Sequence, residues 1–407
     1  MNTWGQSTRS GNSHWLDRER LTIYPRLVVA LFVIMGTAWI LLSENMLDLK
    51  GKPLGYDFIT FWGASYLGLT GHAADAYDIQ LLLQAEQIAV PASTRAYAWF
   101  YPPPFFLVVL PLSLLPYTVA FWTFMGTTLA GYLLVLRRVV REPVGMWCAA
   151  AFPAVWVNLF HGQNGFLTAS LAGAAILALK RHPASAGVLV GLLAIKPHLA
   201  LLFPIALVAI GAWRTILCAA LTVAALTAIG IAVLGIRVVE AWLGSLQIAR
   251  LFIETGVLPL AKMPSLYAAL RLIDAPIAFA YCMQALLAIA AATVVWRVWR
   301  RNQDWGLRGA TLMAGSLLVS PYLFDYDLVW LALPIAWLAV TGVRNGWLRG
   351  EREVLVCTWV MPLLATPISA ATGLQVAPLV ICALLWIAAR RAGVNTILRQ
   401  APPVNPV

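Results

Sequence analysis

Charged residues are scarce in this sequence. Asp, Glu, Lys and Arg make up only 11% of its 407 residues, while 61% are hydrophobic and the mean hydropathy is +0.79. Because soluble domains carry about 25% charged residues, this composition excludes an ordinary soluble globular protein. The sequence instead predicts an all-α, polytopic integral membrane protein.

The sequence also lacks several functional motifs. It has no P-loop and no other glycine-rich phosphate loop, which argues against an ATP-driven pump. Its five cysteines lie in apolar stretches without CxxC spacing, and its five histidines are scattered along the chain. We therefore expect no disulfide, no metal site and no cofactor. Neither an internal repeat nor a soluble domain is visible.

Long apolar runs predict about twelve transmembrane helices within one membrane domain, 26–391. A span needs about 20 apolar residues, with about 17 as the lower end. The first span follows a basic tail, 1–25, and is expected to be an uncleaved signal anchor; a second tail covers 392–407. The predicted spans are 26–43, 118–136, 143–160, 165–180, 184–195, 199–213, 215–235, 276–296, 308–321, 327–343, 353–371 and 376–391.

The distribution of charge predicts the orientation. A net charge of +11 would suggest a nucleic-acid partner in a soluble protein, but here the basic residues cluster in short breaks between apolar runs. With twelve spans, 20 of the 28 Lys and Arg residues fall on the side of both termini, which the positive-inside rule assigns to the cytoplasm. We therefore expect no nucleic-acid partner and a plasma-membrane protein whose site faces the periplasm or exterior.

Two apolar runs are ambiguous, and the same charge rule decides between their interpretations. If 105–115 crossed the bilayer, or if 184–213 were a single kinked span, basic clusters further along the chain would face outward. We interpret 105–115 as a re-entrant or interfacial segment and 184–213 as two spans.

Two long segments, about 44–117 and 236–275, are predicted to lie on the outer face. Within them, residues 78–90 and 238–252 have apolar stripes at helical spacing, and Asp78 suits the N-cap of the first helix. Both patterns predict interfacial helices on the outer face.

Asp57 is the most unusual acidic residue in the sequence. It follows the first predicted span, in the run 55–62, where aromatic residues stand on both sides. A carboxylate at a membrane edge loses hydration, and such groups are usually paired or functional. One interpretation is an N-cap for a helix that begins near Phe58, and the other is a catalytic carboxylate. The two do not exclude each other.

Lys196-Pro197-His198 is a second candidate. The proline breaks the helix beside a cation and an imidazole, which predicts that Lys196 and His198 bind an anionic head group. The alternative is an interfacial lysine that only extends to water.

A polar turn at 161–164 joins two predicted spans on the outer side. His161, Gln163 and Asn164 are candidates for binding sugar hydroxyls, since a plain hairpin at membrane depth needs few polar side chains. Ordinary turn chemistry is the alternative.

The run 320–327 is the last candidate. Its polar side chains are suited to bind a cation or to hydrogen-bond an acceptor sugar, although Asp327 also suits the N-cap of the next helix. The candidates here are Tyr322, Asp325, Tyr326 and Asp327.

Short motifs follow one another along the chain in a recognisable order. They are Asp57-Phe58 before an aromatic helix, Leu69-Thr70-Gly71, Tyr77-Asp78, Tyr101-Pro102-Pro103, Gly162-Gln163-Asn164, Lys196-Pro197 and Ser320-Pro321. Over roughly 50–335 the chain resembles the GT-C-type polytopic glycosyltransferases, and in particular the polyprenyl-phosphate-mannose-dependent mannosyltransferases of glycosyltransferase family 87.

The resemblance implies an inverting transfer from a polyprenyl-phosphate sugar donor to a hydroxyl on a lipid or glycan acceptor. By the same resemblance Asp57 would be the general base, and Lys196 with His198 would stabilise charge on the leaving phosphate. The expected partners are this donor, the acceptor and membrane lipids. Many members carry a His-His pair after the late Ser-Pro, where this sequence has Tyr326-Asp327, so any role of those histidines does not carry over.

The leading hypothesis is therefore a membrane-embedded hexosyltransferase, with mannose as the expected sugar. One alternative is a transporter or flippase for lipid-linked sugars, in which the ion-coupling or gating groups are Asp57, Asp325 and Asp327. Charges at helix ends and the lack of a two-fold repeat argue against it. A non-catalytic assembly subunit is a third interpretation.

Overall fold

The computed structural model describes residue 15 and residues 17–400, with side chains as far as residue 393. This part of the chain forms eighteen α-helices and no β-strand. The first nine helices are α1 Arg18–Leu41, α2 Phe58–Leu69, α3 Ile79–Ala89, α4 Pro103–Val109, α5 Tyr117–Val139, α6 Pro143–Ala150, α7 Pro153–His161, α8 Gly165–Ala178 and α9 Pro183–Leu192. The other nine are α10 Leu202–Ala209, α11 Trp213–Leu234, α12 Arg237–Glu254, α13 Leu266–Leu272, α14 Ile277–Arg301, α15 Trp305–Val319, α16 Ala332–Asn345, α17 Glu351–Thr372 and α18 Ala377–Gln400.

The two predicted tails are only partly covered. Of 1–25 and 392–407, residues 1–14, 16 and 401–407 lie outside the described residues. Helix α18 continues through the first part of the predicted C-terminal tail.

The predicted all-α membrane fold is confirmed. Within the described residues six helical segments are long and apolar enough to cross a membrane, and they are α1, α5, α11, α14, α17 and Asp325–Asn345, which includes α16. Helices α6 and α7 meet at 45° and would add a seventh if they form one broken span. The chain is therefore a multi-pass membrane protein, but the prediction of twelve spans exceeds this number because several predicted helices are too short to cross alone.

Helices α9 and α10 illustrate this shortness. They contain ten and eight residues, and at about 1.5 Å per residue neither covers a hydrocarbon layer of about 30 Å. Lys196, in the break between them, contacts Asn164 and Asp327. Their other ends lie near each other, since Pro183 and Ile210 line one cavity. The chain therefore reverses direction within 184–213, but neither helix is long enough to be one of the two spans predicted there.

Both of the long segments that were predicted to face outward contain the predicted helices. Helix α3 begins after Asp78, whose carboxylate accepts hydrogen bonds from the backbone N–H groups of Gln80 and Leu81, so the predicted N-cap is confirmed. Helix α12 covers the predicted 238–252. The ambiguous run 105–115 forms α4 and a short 3-10 turn, Leu112–Leu114.

Helix α2 lies in an aromatic core. Phe58 and Phe61 are fully buried, and their rings pack edge-on against Phe121 and Phe105 respectively. Such pairs contribute about 0.5–1.5 kcal/mol beyond their buried area. This packing holds the start of α2, and with it Asp57, in a fixed position.

Candidate active site

Two glycine turns bring Asp57 and the 161–164 turn together. Gly55 and Gly162 have φ of +80° and +64°, in the region that favours glycine. A Cβ added to Gly162 would lie 2.5 Å from the carbonyl oxygen of Gly55. The backbone N–H of Asp57 donates to the carbonyl of His161 at 3.1 Å. The two turns are therefore in direct backbone contact.

Asp57 occupies the N-cap position of α2, as one interpretation of the sequence predicted. Its carboxylate, however, makes no capping hydrogen bond. Instead Oδ2 accepts a hydrogen bond from Nε2 of Gln163 at 2.9 Å, and no described residue donates to Oδ1. The half-buried side chain thus points away from its own helix.

Gln163 links Asp57 to a buried polar network. Its Oε1 accepts hydrogen bonds from the hydroxyl of Tyr101 at 2.7 Å and from the backbone N–H of Asn164 at 3.3 Å. The side-chain Oδ1 of Asn164 in turn accepts from Nζ of Lys196 at 3.4 Å. Because Tyr101 donates to Oε1, the amide nitrogen of Gln163 must face Asp57.

Lys196 and Asp327 form a buried ion pair. Nζ lies 2.5 Å from Oδ1, and the two side chains are 5% and 0% exposed. The ammonium also lies 4.7 Å from the centre of the Tyr326 ring. Asp327 is the third residue of the 3-10 turn Asp325–Leu331, whose N-cap position is Phe324. Its Oδ2 accepts a hydrogen bond from the backbone N–H of Phe324 at 3.4 Å, so Asp327 caps this turn from its third position and not from the predicted N-cap position. The positive charge of Lys196 is compensated before any ligand binds.

His161 and His198 have different surroundings. Nδ1 of His161 lies 2.8 Å from the carbonyl oxygen of Val157, and Nε2 lies 3.0 Å from Nζ of Lys262. Nε2 of His198 is buried and has no hydrogen-bond partner among the described residues.

The remaining candidates are Asp325, Tyr326 and Tyr322. Oδ2 of Asp325 accepts from the hydroxyl of Thr366 at 3.2 Å, while its buried Oδ1 has no partner in the described part of the chain. The Tyr326 ring lies 5.8 Å from that of His161. Tyr322 lies further off, with its hydroxyl 3.5 Å from that of Tyr281.

The structure thus connects most of the candidates predicted from the sequence. A chain of hydrogen bonds runs from Asp57 through Gln163, Asn164 and Lys196 to Asp327, with the rings of His161 and Tyr326 beside it. Among the described residues, His198 and Tyr322 make no hydrogen bond to any of these five side chains.

Sequence reasoning missed two residues of the site. Tyr101 belongs to a Tyr-Pro-Pro motif whose position along the chain was recognised, but nothing indicated that its hydroxyl would contact Gln163. Lys262 is a single lysine in a long loop, and no local pattern distinguishes it from the other lysines.

This arrangement has two chemical capabilities. A half-buried carboxylate with one free oxygen can accept a proton from a hydroxyl, and the cations beside it can stabilise an anion. In the described part of the chain no three His, Cys, Asp or Glu side chains are grouped as metal ligands would be.

A family model for glycosyltransferase family 87 matches residues 99–321, more than half of the 407-residue chain. The match includes Tyr101, the 161–164 turn, Lys196 and Lys262, while Asp57 lies before it. No curated protein and no solved structure matches the chain. On the family match, the chain belongs to glycosyltransferase family 87.

Proposed function

We propose that the protein transfers a hexose, with mannose as the expected sugar, from a polyprenyl-phosphate donor to a hydroxyl of a lipid or glycan acceptor. The transfer inverts the anomeric carbon and takes place at the outer face of the plasma membrane, with both termini in the cytoplasm. Membership of a glycosyltransferase family supports group transfer, and no observation favours the transporter alternative.

The main support for this proposal is the environment of Asp57. Its carboxylate is half-buried, does not cap its helix, and keeps Oδ1 free of hydrogen bonds from the described residues. As the acceptor oxygen attacks the anomeric carbon, its proton passes to Asp57 and the bond between that carbon and the phosphate oxygen breaks. The products are the new glycoside and a polyprenyl phosphate monoester.

The sugar and acceptor are proposed to contact the polar side chains around this network. Nδ2 of Asn164 and Oδ1 of Asp325 are buried without a hydrogen-bond partner in the described residues, and such groups are costly unless a ligand or water satisfies them. His161, Gln163, Tyr322, Tyr326 and Asp327 are the other proposed contacts.

The donor phosphate needs a cation, and Lys196 and His198 are the candidates from the sequence. A phosphate at Lys196 would have to displace the carboxylate of Asp327 from its buried ion pair. Asp327 would then be left as a buried, uncompensated charge, which is strongly unfavourable.

The test is Asp57→Asn, assayed with a polyprenyl-phosphate hexose in membranes. Asn keeps the size of the side chain but is a very weak base, so we expect transfer to fall by about 10²–10⁴-fold. The matched control is Asp274→Asn, since Asp274 is exposed with φ of +60°, a conformation that Asn tolerates. Retained transfer by folded Asp57→Asn would contradict the proposal, and sugar uptake into proteoliposomes without a new glycoside would favour a transporter.

A further inference from the structure

Lys262 contacts the side chain of His161, the residue whose backbone carbonyl accepts a hydrogen bond from the N–H of Asp57. Nδ1 of His161 lies against the carbonyl of Val157, which can only accept, so Nδ1 carries the proton and Nε2 accepts from Lys262. The histidine is therefore neutral and Lys262 keeps its charge. Only one of the three N–H groups of its ammonium is used by the described residues.

Lys262 has no counter-ion in the described part of the chain, where the ion pairs involve other residues. Its side chain is partly exposed. The 3-10 turn that carries it, Leu260–Lys262, is held in place because Nε2 of Gln375 donates to the carbonyl of Ala261 at 3.0 Å. Lys262 is thus positioned at both ends, by its backbone turn and by His161.

A second cation lies close to this one. Nζ of Lys52 is 4.9 Å from the centre of the Tyr56 ring, and that ring lies 5.4 Å from the ring of His161. Burial lowers the pKa of Lys52 and the positive charge of Lys262 lowers it further, while the carboxylates of Asp48 and Asp57 act in the opposite direction. Two ammonium groups that repel each other beside a neutral histidine form a site suited to an anion.

We propose that Lys262, held by His161, binds the phosphate of the lipid-linked sugar donor, and that Lys52 adds a second positive charge to this site. This assignment rests on the proposed function, and it identifies Lys262 as the cation that stabilises the donor phosphate. Lys196 is less suited because Asp327 already neutralises it.

The chemistry of the reaction explains why a free cation matters. The donor phosphate is a diester with one negative charge, whereas the polyprenyl phosphate that leaves is a monoester with two. The additional charge develops on the phosphate as the bond to the sugar breaks. A cation fixed at that position stabilises the transition state more than the bound donor.

The experiment measures binding of a short-chain polyprenyl monophosphate to the full-length protein in lipid nanodiscs. We expect Lys262→Gln to weaken binding by about 10–100-fold, as loss of a charge-assisted hydrogen bond implies, and Lys262→Arg to retain most of it. Lys52→Gln should weaken binding less, since Lys52 supplies charge at a greater distance. Lys50→Gln, which removes an exposed lysine from the same segment, should match the wild type.

Two further probes identify the ligand. Polyprenol, which lacks the phosphate, should bind wild type and Lys262→Gln equally. Inorganic phosphate should compete only weakly, because it lacks the lipid chain; competition at concentrations similar to the polyprenyl monophosphate would assign the site to a free anion and overturn the proposal. Wild-type affinity in both Lys262→Gln and Lys52→Gln would also overturn it.

Failure of this assignment is distinguishable from failure of the proposed function. Asp57→Asn should lose transfer but still bind polyprenyl monophosphate, while Lys262→Gln should lose both. If Asp57→Asn transfers sugar normally, the role of Asp57 is wrong whatever Lys262 binds. If Lys262→Gln binds the phosphate normally while Asp57→Asn is inactive, only the phosphate site is wrong.

Discussion

The ammonium of Lys196 lies 2.5 Å from Oδ1 of Asp327, and both side chains are shielded from solvent. The two residues come from different helix junctions, 131 positions apart. A buried ion pair is often no more stable than a hydrophobic pair of similar size, but loss of one partner leaves a buried charge uncompensated. Replacement of only one of these two residues should therefore destabilise the junction, whereas replacement of both by apolar residues should not.

The first prediction follows from this pair. We expect Lys196→Met or Asp327→Leu alone to lower the free energy of unfolding by about 3–5 kcal/mol, and the double variant to recover most of the loss. Unfolding of the purified protein in detergent measures both effects. The exposed pair Arg250–Glu254 is the control, since Arg250→Gln should change stability little.

The double variant also tests where the phosphate binds. With Lys262 as its cation, the double variant should still bind polyprenyl monophosphate. Loss of that binding in a stable double variant would return Lys196 to the role predicted from the sequence.

The second prediction concerns Gln163, which donates to Asp57 at 2.9 Å. Gln163→Glu replaces this donor with a second carboxylate, and repulsion then favours a proton between the two. We expect the acidic limb of the pH–rate profile for sugar transfer to move to higher pH by about one unit or more. Gln80→Glu adds the same charge at an exposed position of α3 and should leave the profile unchanged. An unshifted profile in Gln163→Glu would show that Asp57 does not act as the base.

The third prediction tests the contact between the two turns. In Gly162→Ala the new Cβ would meet the carbonyl oxygen of Gly55 and Cβ of Phe58 at 2.5 Å, at φ of +64°. We expect a loss of about 2 kcal/mol or more in the free energy of unfolding, together with reduced transfer as Gln163 moves from Asp57. Gly244→Ala, on a helix with open space around it, should be neutral or slightly stabilising. Equal stability of the two variants would mean that the turns are not packed as described.

The sequence was informative where local chemistry decides the structure. The predicted helix 118–136 corresponds to α5, Tyr117–Val139, because an apolar run and a proline fix its extent. Asp78 caps α3 because the cap forms between neighbouring residues. The position of Asp57 before α2 was likewise predictable.

Contacts across the bundle were not predictable from local patterns. Whether the Asp57 carboxylate caps its helix or turns away depends on Gln163, 106 positions later. The pairing of Lys196 with Asp327 and the contact of Lys262 with His161 depend on how whole helices pack. The residues were visible in the sequence, but their partners were not.

The last prediction concerns Glu86, on α3. Its side chain is fully buried, and neither carboxyl oxygen has a hydrogen-bond partner in the described residues. Burial raises the pKa of Glu86 from its ordinary value of 4.5 to about 9; the charge of Asp57 adds to this, and the backbone of Tyr97 opposes it. The folded protein therefore holds this proton more tightly than the unfolded chain does.

The sign of the pH dependence follows. Because the pKa is higher in the folded state, ionisation of Glu86 costs no stability below about pH 4.5, and this pH-dependent cost grows as the pH rises towards 9. The loss is at most about 1.4 kcal/mol per pH unit. We expect the melting temperature of the wild type to fall between pH 5 and 9, and Glu86→Gln, which is neutral throughout, to lose most of that slope. Glu240→Gln, at an exposed position of α12, should keep the wild-type slope. A slope that persists in Glu86→Gln would mean that another group releases its proton over this range.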